Sequence, residues 1–173
     1  FLEEAQVTGQ LDHPGVVPVH ELGLDDQGRV YFTMRLVKGR DLKAIFELVR
    51  EGQEDWNPTR ALGVLLKACE ALAYAHSKGV VHRDLKPANV MVGRFGEVYV
   101  MDWGLARVIG SPDRHDIRLD VDAAKFSGVI TDRSETPGSE SPLKTMDGDI
   151  IGTPTFMAPE QALGHLSEVG PRS

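Results

Sequence analysis

Residues 79–104 read GVVHRDLKPANVMVGRFGEVYVMDWG, and the reading of the chain works outward from this stretch. The polar run from His82 to Asn89 is followed by two apolar runs, Val90 to Val92 and Val98 to Met101. Gly93, Arg94, Phe95 and Gly96 separate the two, so a β-hairpin is predicted. Upstream, Asn57 is a good N-cap with Pro58 at the first helical position, and Lys78 with Gly79 suits a helix end. Along that helix Leu62, Leu65, Leu66, Cys69, Leu72 and Ala73 recur at helical spacing, which predicts one broad stripe facing the core. The polar run is therefore expected on a loop held between a long helix and a hairpin.

Toward the front, Glu3 to Leu11 has helix-forming composition, with Leu2, Ala5 and Leu11 available for a buried side. It stops before His13, Pro14 and Gly15. Val16, Val17 and Val19, a polar cluster from Asp25 to Gly28, and then Val30, Tyr31, Phe32, Met34 and Leu36 predict a second hairpin. A short helix is predicted from Asp41 to Arg50, with Asp41 capping its first turn. From about Ser111 to Gly148 the chain turns polar without periodicity, which predicts a long flexible loop. Such a length suggests a functional segment. There is no internal repeat.

The composition of the 173 residues, 41% hydrophobic and 26% charged, is that of a folded water-soluble domain. No apolar run approaches the roughly 18 to 20 residues that span a bilayer, and the start at Phe1 has no signal-peptide pattern. Cys69 is the single cysteine, so an internal disulfide or a cysteine-based zinc site is excluded. A cytoplasmic setting is expected, with room for a membrane anchor outside this stretch, and Cys69 reads as a small core residue. A net charge of −7 argues against nucleic acid as a partner, because phosphate-backbone binding draws on clustered Lys and Arg.

Phosphoryl transfer needs a carboxylate to take the proton of the attacking hydroxyl, a cation near the phosphate, and oxygen ligands for magnesium. Asp84, Lys86 and Asn89 are those three kinds of group. Singly each has a plainer reading, Asp84 as a turn cap and Asn89 as a partner for loop backbone. Together, the run His82 to Asn89 (HRDLKPAN) resembles the catalytic loop of the protein kinase family. The Lys-Pro-x-Asn portion resembles serine/threonine rather than tyrosine kinases.

Further motifs extend the resemblance in family order. Asp102, Trp103 and Gly104 stand where the family has Asp-Phe-Gly, which implies Asp102 as a magnesium ligand and Trp103 packed beneath the first helix. Gly152 to Glu160 (GTPTFMAPE) resembles the end of the activation segment, with Thr153 bonding near Asp84 and Lys86. The first 14 residues resemble the C-helix and its His-Pro turn, making Glu4 the partner of an ATP-binding lysine. Met34 to Val37 resembles the gatekeeper and hinge, so Met34, Arg35 and Val37 would meet adenine and Asp41 the ribose. Arg83 would pair with a phosphate on the activation segment, with Thr145 as candidate acceptor ahead of Ser139 and Ser141. Asp149 is an alternative, fixed charge for Arg83. The overall flavour is similar to bacterial kinases of eukaryotic type.

The resemblance implies an α+β, bilobal kinase-like fold in part: an N-lobe remnant over 1–37, hinge and C-lobe over 38–173, and an activation loop over about 105–157. It implies ATP and Mg²⁺ as cofactors and proteins with Ser or Thr acceptors as substrates. The family's Gly-rich loop and lysine-bearing strand would precede Phe1 and its remaining C-lobe helices would follow Ser173, in a domain of roughly 250 residues or more. The chain alone is accordingly expected to bind ATP poorly and to be marginally stable. A pseudokinase or scaffold that binds partners without catalysis is the alternative from another class.

Overall fold

A computed structural model describes residues 2–109, 153–165 and 167–173, the side chains of Leu2 and Glu3 excepted. The predicted polar loop over 111–148 and the candidates Ser139, Ser141, Thr145, Asp149 and Gly152 lie outside the described residues.

The first helix, α1 (Leu2–Gln10), buries Ala5 and is followed by buried Leu11. A hairpin follows, β1 (Val19–Leu24) against β2 (Val30–Met34), antiparallel with Leu22 opposite Phe32. Asp25 closes its turn, one carboxylate oxygen accepting the Gln27 and Arg29 N–H groups at 2.9 Å each. The hairpin is shorter than the apolar residues suggested. Val16 leaves it to bridge in parallel with Val100, and both Val16 and Val17 are buried instead in the main core. At the other end the strand stops at Met34, and Leu36 is 77% exposed.

Residues Gly39–Asp41 form a short strand, β3, that no alternation in the sequence announced. It pairs with β5 (Val90–Gly93), which pairs in turn with β6 (Val98–Val100), giving a three-stranded antiparallel sheet. Gly39 sits so close to Val92 that an added Cβ would collide with its carbonyl, so the strand can pair here only as glycine. The helix α2 (Leu42–Glu51) begins as expected, with one Asp41 carboxylate oxygen accepting the Ala44 N–H at 2.7 Å.

The long helix α3 (Pro58–Ser77) is capped by Asn57, whose side-chain oxygen accepts the Arg60 N–H at 2.9 Å. Its buried face is not the leucine stripe. Ala61, Val64, Ala68, Ala71 and Ala75 are buried, whereas Leu62, Leu65, Leu66 and Cys69 are exposed. The reason is the closeness of approach: a Cβ placed on Gly15 would lie 2.8 Å from the Ala71 Cβ, so this side of α3 has room only for small residues. Leu72 packs against the core edge and Ala73 faces outward. The expectation of Cys69 as a core residue falls with the stripe. After α3 come β4 (Val80–Val81), paired antiparallel with β7 (Arg107–Val108), and the helical turn α4 (Pro159–Ala162). The result is an α+β fold with one main core, in which Leu42, Ile45, Val90, Val100 and Trp103 meet α3.

The two faces of α3 should respond differently to substitution. Ala71→Leu overpacks a closed contact and is expected to cost about 1–3 kcal/mol. Leu66→Ser, despite removing the larger apolar group, should fall within about 0.5 kcal/mol of the parent chain. Urea denaturation of the two variants checks this, and a larger loss for Leu66→Ser would restore the leucine stripe to the core.

Candidate active site

The run from His82 to Asn89 leaves β4, turns sharply, and enters the three-stranded sheet at β5 through a 3₁₀ turn at Pro87–Asn89. Arg83 adopts φ 66° and Asp102 φ 62°, left-handed values uncommon outside glycine. The surroundings hold both. His82, only 2% exposed, donates from Nε2 to the Met101 carbonyl at 2.9 Å and accepts the Asp84 N–H on Nδ1 at 3.3 Å. This tautomer follows from the carbonyl on one side and the amide on the other. Arg83 donates its Nε–H to the Leu105 carbonyl at 2.6 Å, and its own carbonyl accepts Gln161 Nε2 at 2.6 Å. The Trp103 indole is buried, donates to the Val100 carbonyl at 3.1 Å and lies 4.7 Å from the His82 ring.

Asp84 is the hub. It is 7% exposed, and a carboxylate at that depth needs several partners. One oxygen accepts both the Thr153 N–H at 2.9 Å and the Thr153 hydroxyl at 2.8 Å. The other accepts Lys86 Nζ at 2.8 Å and Asn89 Nδ2 at 3.3 Å. Lys86 Nζ donates also to Thr153 Oγ1 at 2.7 Å, closing a triangle of side chains, and Asn89 Nδ2 reaches the Asp84 carbonyl at 2.9 Å. A carboxylate, a cation, an amide and a hydroxyl are thus gathered from segments 69 residues apart.

Asp102 comes alongside because the Met101 N–H donates to the Asn89 carbonyl at 2.7 Å. Asp102 is exposed. Glu4 lies near it: a Cβ on Gly104 would stand 3.3 Å from Asp102 Oδ1 and 3.6 Å from Glu4 Oε2. Asn89 spends its amide nitrogen on Asp84, which leaves its side-chain oxygen as a hard donor, and Asp102 offers an exposed carboxylate. That donor set suits magnesium, which takes one or two protein oxygens and fills the rest of its shell with water and phosphate. Among the described residues no three His, Cys, Asp or Glu side chains converge as an all-protein metal cage.

Met34, Arg35 and Val37 have no hydrogen bond to this cluster among the described residues. The Arg35 N–H is used on the Pro18 carbonyl at 3.4 Å, and Arg35 Nη1 reaches Tyr99 Oη at 3.5 Å. Asp41 caps α2 and pairs across the sheet with Met91, two residues beyond Asn89. Gln161, buried and fixing the strained Arg83 carbonyl, was not singled out in the sequence, since a lone Gln after Pro159 and Glu160 carries no signal of its own.

The sequence profile described as the protein kinase domain matches residues 1–168. The chain belongs to the protein kinase family. It is 37% identical over 177 residues to the serine/threonine-protein kinase PknD of Protochlamydia amoebophila, covering 98% of this chain and 17% of that protein. The PknD proteins of Chlamydia pneumoniae, at 37% identity, and Chlamydia abortus, at 36%, are each matched over 95% of this chain and 17% of their length. The chain therefore spans about a sixth of the length of the curated relatives it matches. Within the family the fold is part of the bilobal α+β kinase architecture. No helix among the described residues is long and apolar enough to cross a membrane.

Burial holds the His82 pKa below its ordinary 6.5, against the raising pull of the Met101 carbonyl and the charges of Asp84 and Asp102. A folded-state pKa below the unfolded one means that the unfolded chain takes up its proton first. The stability His82 contributes is complete above about 6.5 and is lost as pH falls from there toward the folded-state value. The urea midpoint of the kinase chain should therefore drop between neutral pH and about 5.5, and the drop should shrink in His82→Gln. Parallel slopes for the two proteins across that window would remove His82 as the cause.

Proposed function

We propose that this chain supplies the catalytic loop, magnesium ligands and activation-segment anchor of an enzyme that transfers the γ-phosphate of ATP to Ser or Thr of protein substrates. The observation that carries the proposal is the convergence of Lys86, Asn89 and Thr153 on the buried Asp84 carboxylate. Asp84 orients the acceptor hydroxyl and takes its proton. Lys86, within reach of both Asp84 and Thr153, places its positive charge beside the transferring group. Asn89 and Asp102 would hold magnesium, which would supply positive charge to the nucleotide phosphates. Glu4 is assigned to the ATP-binding lysine on its position near Asp102 and Gly104. Since the Arg35 N–H is spent on Pro18, its carbonyl and the Val37 backbone are the groups assigned to adenine, with Met34 as gatekeeper. Asp41 spends one oxygen on its helix cap and offers the other to the ribose.

Residues 1–37 are assigned to the N-lobe and 38–173 to the hinge and C-lobe, the active site lying between them. In the family a Gly-rich loop and a strand-borne lysine take part in holding the nucleotide phosphates. The assay accordingly uses a protein that carries this chain together with those elements. Asp84→Asn there should lower kcat for γ-phosphate transfer by about 10² to 10⁴-fold. Asn89→Ala should raise the Mg²⁺ concentration needed for half-maximal rate. Unchanged kcat in Asp84→Asn would discard the role of the base, and a wild-type protein that binds partners but transfers nothing would favour a pseudokinase scaffold.

Arg83 is assigned a regulatory part as receiver of a phosphate on Thr145, and Thr153 a part in ordering the segment that carries it. Charge-assisted Arg–phosphate bonds can order a loop. Mass spectrometry of the active protein should find Thr145 phosphorylated, and an active preparation bearing none would withdraw that residue.

A further inference from the structure

A cleft of about 1120 Å³ opens among residues 35–40, the β5–β6 turn and the first half of α3. It shares only the 35–37 stretch with the proposed nucleotide site, and none of Asp84, Lys86, Asn89, Asp102 or Thr153 lines it. Its charge is opposite to that of the chain. Overall there are 26 acidic against 19 basic residues, yet Arg35, Lys38, Arg40, Arg60, Lys67 and Arg94 line the cleft against Glu54 and Glu97 alone. Both acids are engaged locally. Glu54 forms a two-point ion pair with Arg40, and Glu97 accepts the Phe95 N–H at 2.9 Å.

Five cations remain, all exposed and none in an ion pair among the described residues: Arg35, Lys38, Arg60, Lys67 and Arg94. The fold itself brings them together. The register that sets Gly39 against Gly93 places Lys38 and Arg94 at one end of the β3–β5 ladder. Lys67 is drawn in by its bond to the Gly96 carbonyl at 2.8 Å, and Arg60 lies over the Trp56 ring at 4.0 Å. Between these charges the floor is apolar. Ile45, Val64, Val92 and Tyr99 are buried there, and Phe95, 87% exposed, stands at the rim.

Concentrated like charge is unfavourable unless something of opposite sign relieves it. An extended acidic peptide does so and also brings side chains for the floor. A nucleic-acid backbone would satisfy the cations but offers no aliphatic group to Ile45, Val64 and Val92.

We propose that this cleft docks an acidic segment of a protein partner, its carboxylates on the five cations outside ion pairs and an apolar side chain on the floor. The proposal concerns binding alone and stands whether or not the chain transfers phosphate. Fluorescence anisotropy on the whole chain tests it with three labelled probes: a peptide alternating Glu and Leu, the same peptide with Ser for Leu, and a single-stranded RNA of equal charge. The Glu-Leu peptide should bind most tightly, with the Ser version weaker. The double variant Lys38→Glu/Arg94→Glu, at an unchanged melting temperature, should weaken the Glu-Leu peptide by about tenfold or more. Lys38→Ala/Arg94→Ala should fall between it and the parent chain. Equal affinity in parent and variants would overturn the docking site. RNA binding as tight as the Glu-Leu peptide, with the same loss in the variants, would overturn the peptide reading in favour of a general polyanion surface.

Discussion

A carboxylate buried to the depth of Asp84 is tolerated only when its lone pairs are filled, and the rest of the site follows from that requirement. Four donors from three residues meet its two oxygens: the Thr153 amide and hydroxyl on one, Lys86 and Asn89 on the other. Because Thr153 comes from far along the chain, the same bonds that neutralise the charge also tie the stretch beginning at Thr153 to the loop from His82 to Asn89. An arrangement of this kind couples order at Thr153 to the setting of the Asp84 carboxylate. Loosening Thr153 removes two of the four donors at once.

The loop that carries Asp84 is strained, and the strain has visible supports. Left-handed backbone at Arg83 and Asp102 costs on the order of 1–3 kcal/mol per residue. Around Arg83 the cost is offset by bonds on both sides of the residue, its guanidinium to Leu105 and its carbonyl from Gln161. His82 provides the third support by bridging Met101 and Asp84 as a neutral imidazole, which its burial favours over the charged form. Trp103, in the position where the family carries Phe, fills the core against His82 and finds a carbonyl for its indole N–H, so the exchange keeps the packing without leaving a polar atom unpaired.

Electrostatics divide the molecule. The Asp84 cluster is a closed set of opposite charges, whereas the cleft at α3 and β5 gathers cations with little to answer them. Net acidity of the whole chain gave no hint of this, since a total says nothing about where charges of one sign are brought together.

Much of this was legible in order along the chain. His82 to Asn89, Asp102 to Gly104 and Thr153 to Glu160 are runs of neighbouring residues whose chemistry is local, as are the caps Asp41 and Asn57, so their identity and elements could be read one position at a time. What only the tertiary structure decided was distance. Both faces of α3 are apolar, and choosing between them required knowing that Gly15 presses against Ala71, a contact between residues 56 positions apart that favours small side chains over large. The strand at Gly39, the support from Gln161 and the basic cleft share that cause, because each depends on which segments the packed chain places within a few ångströms of one another.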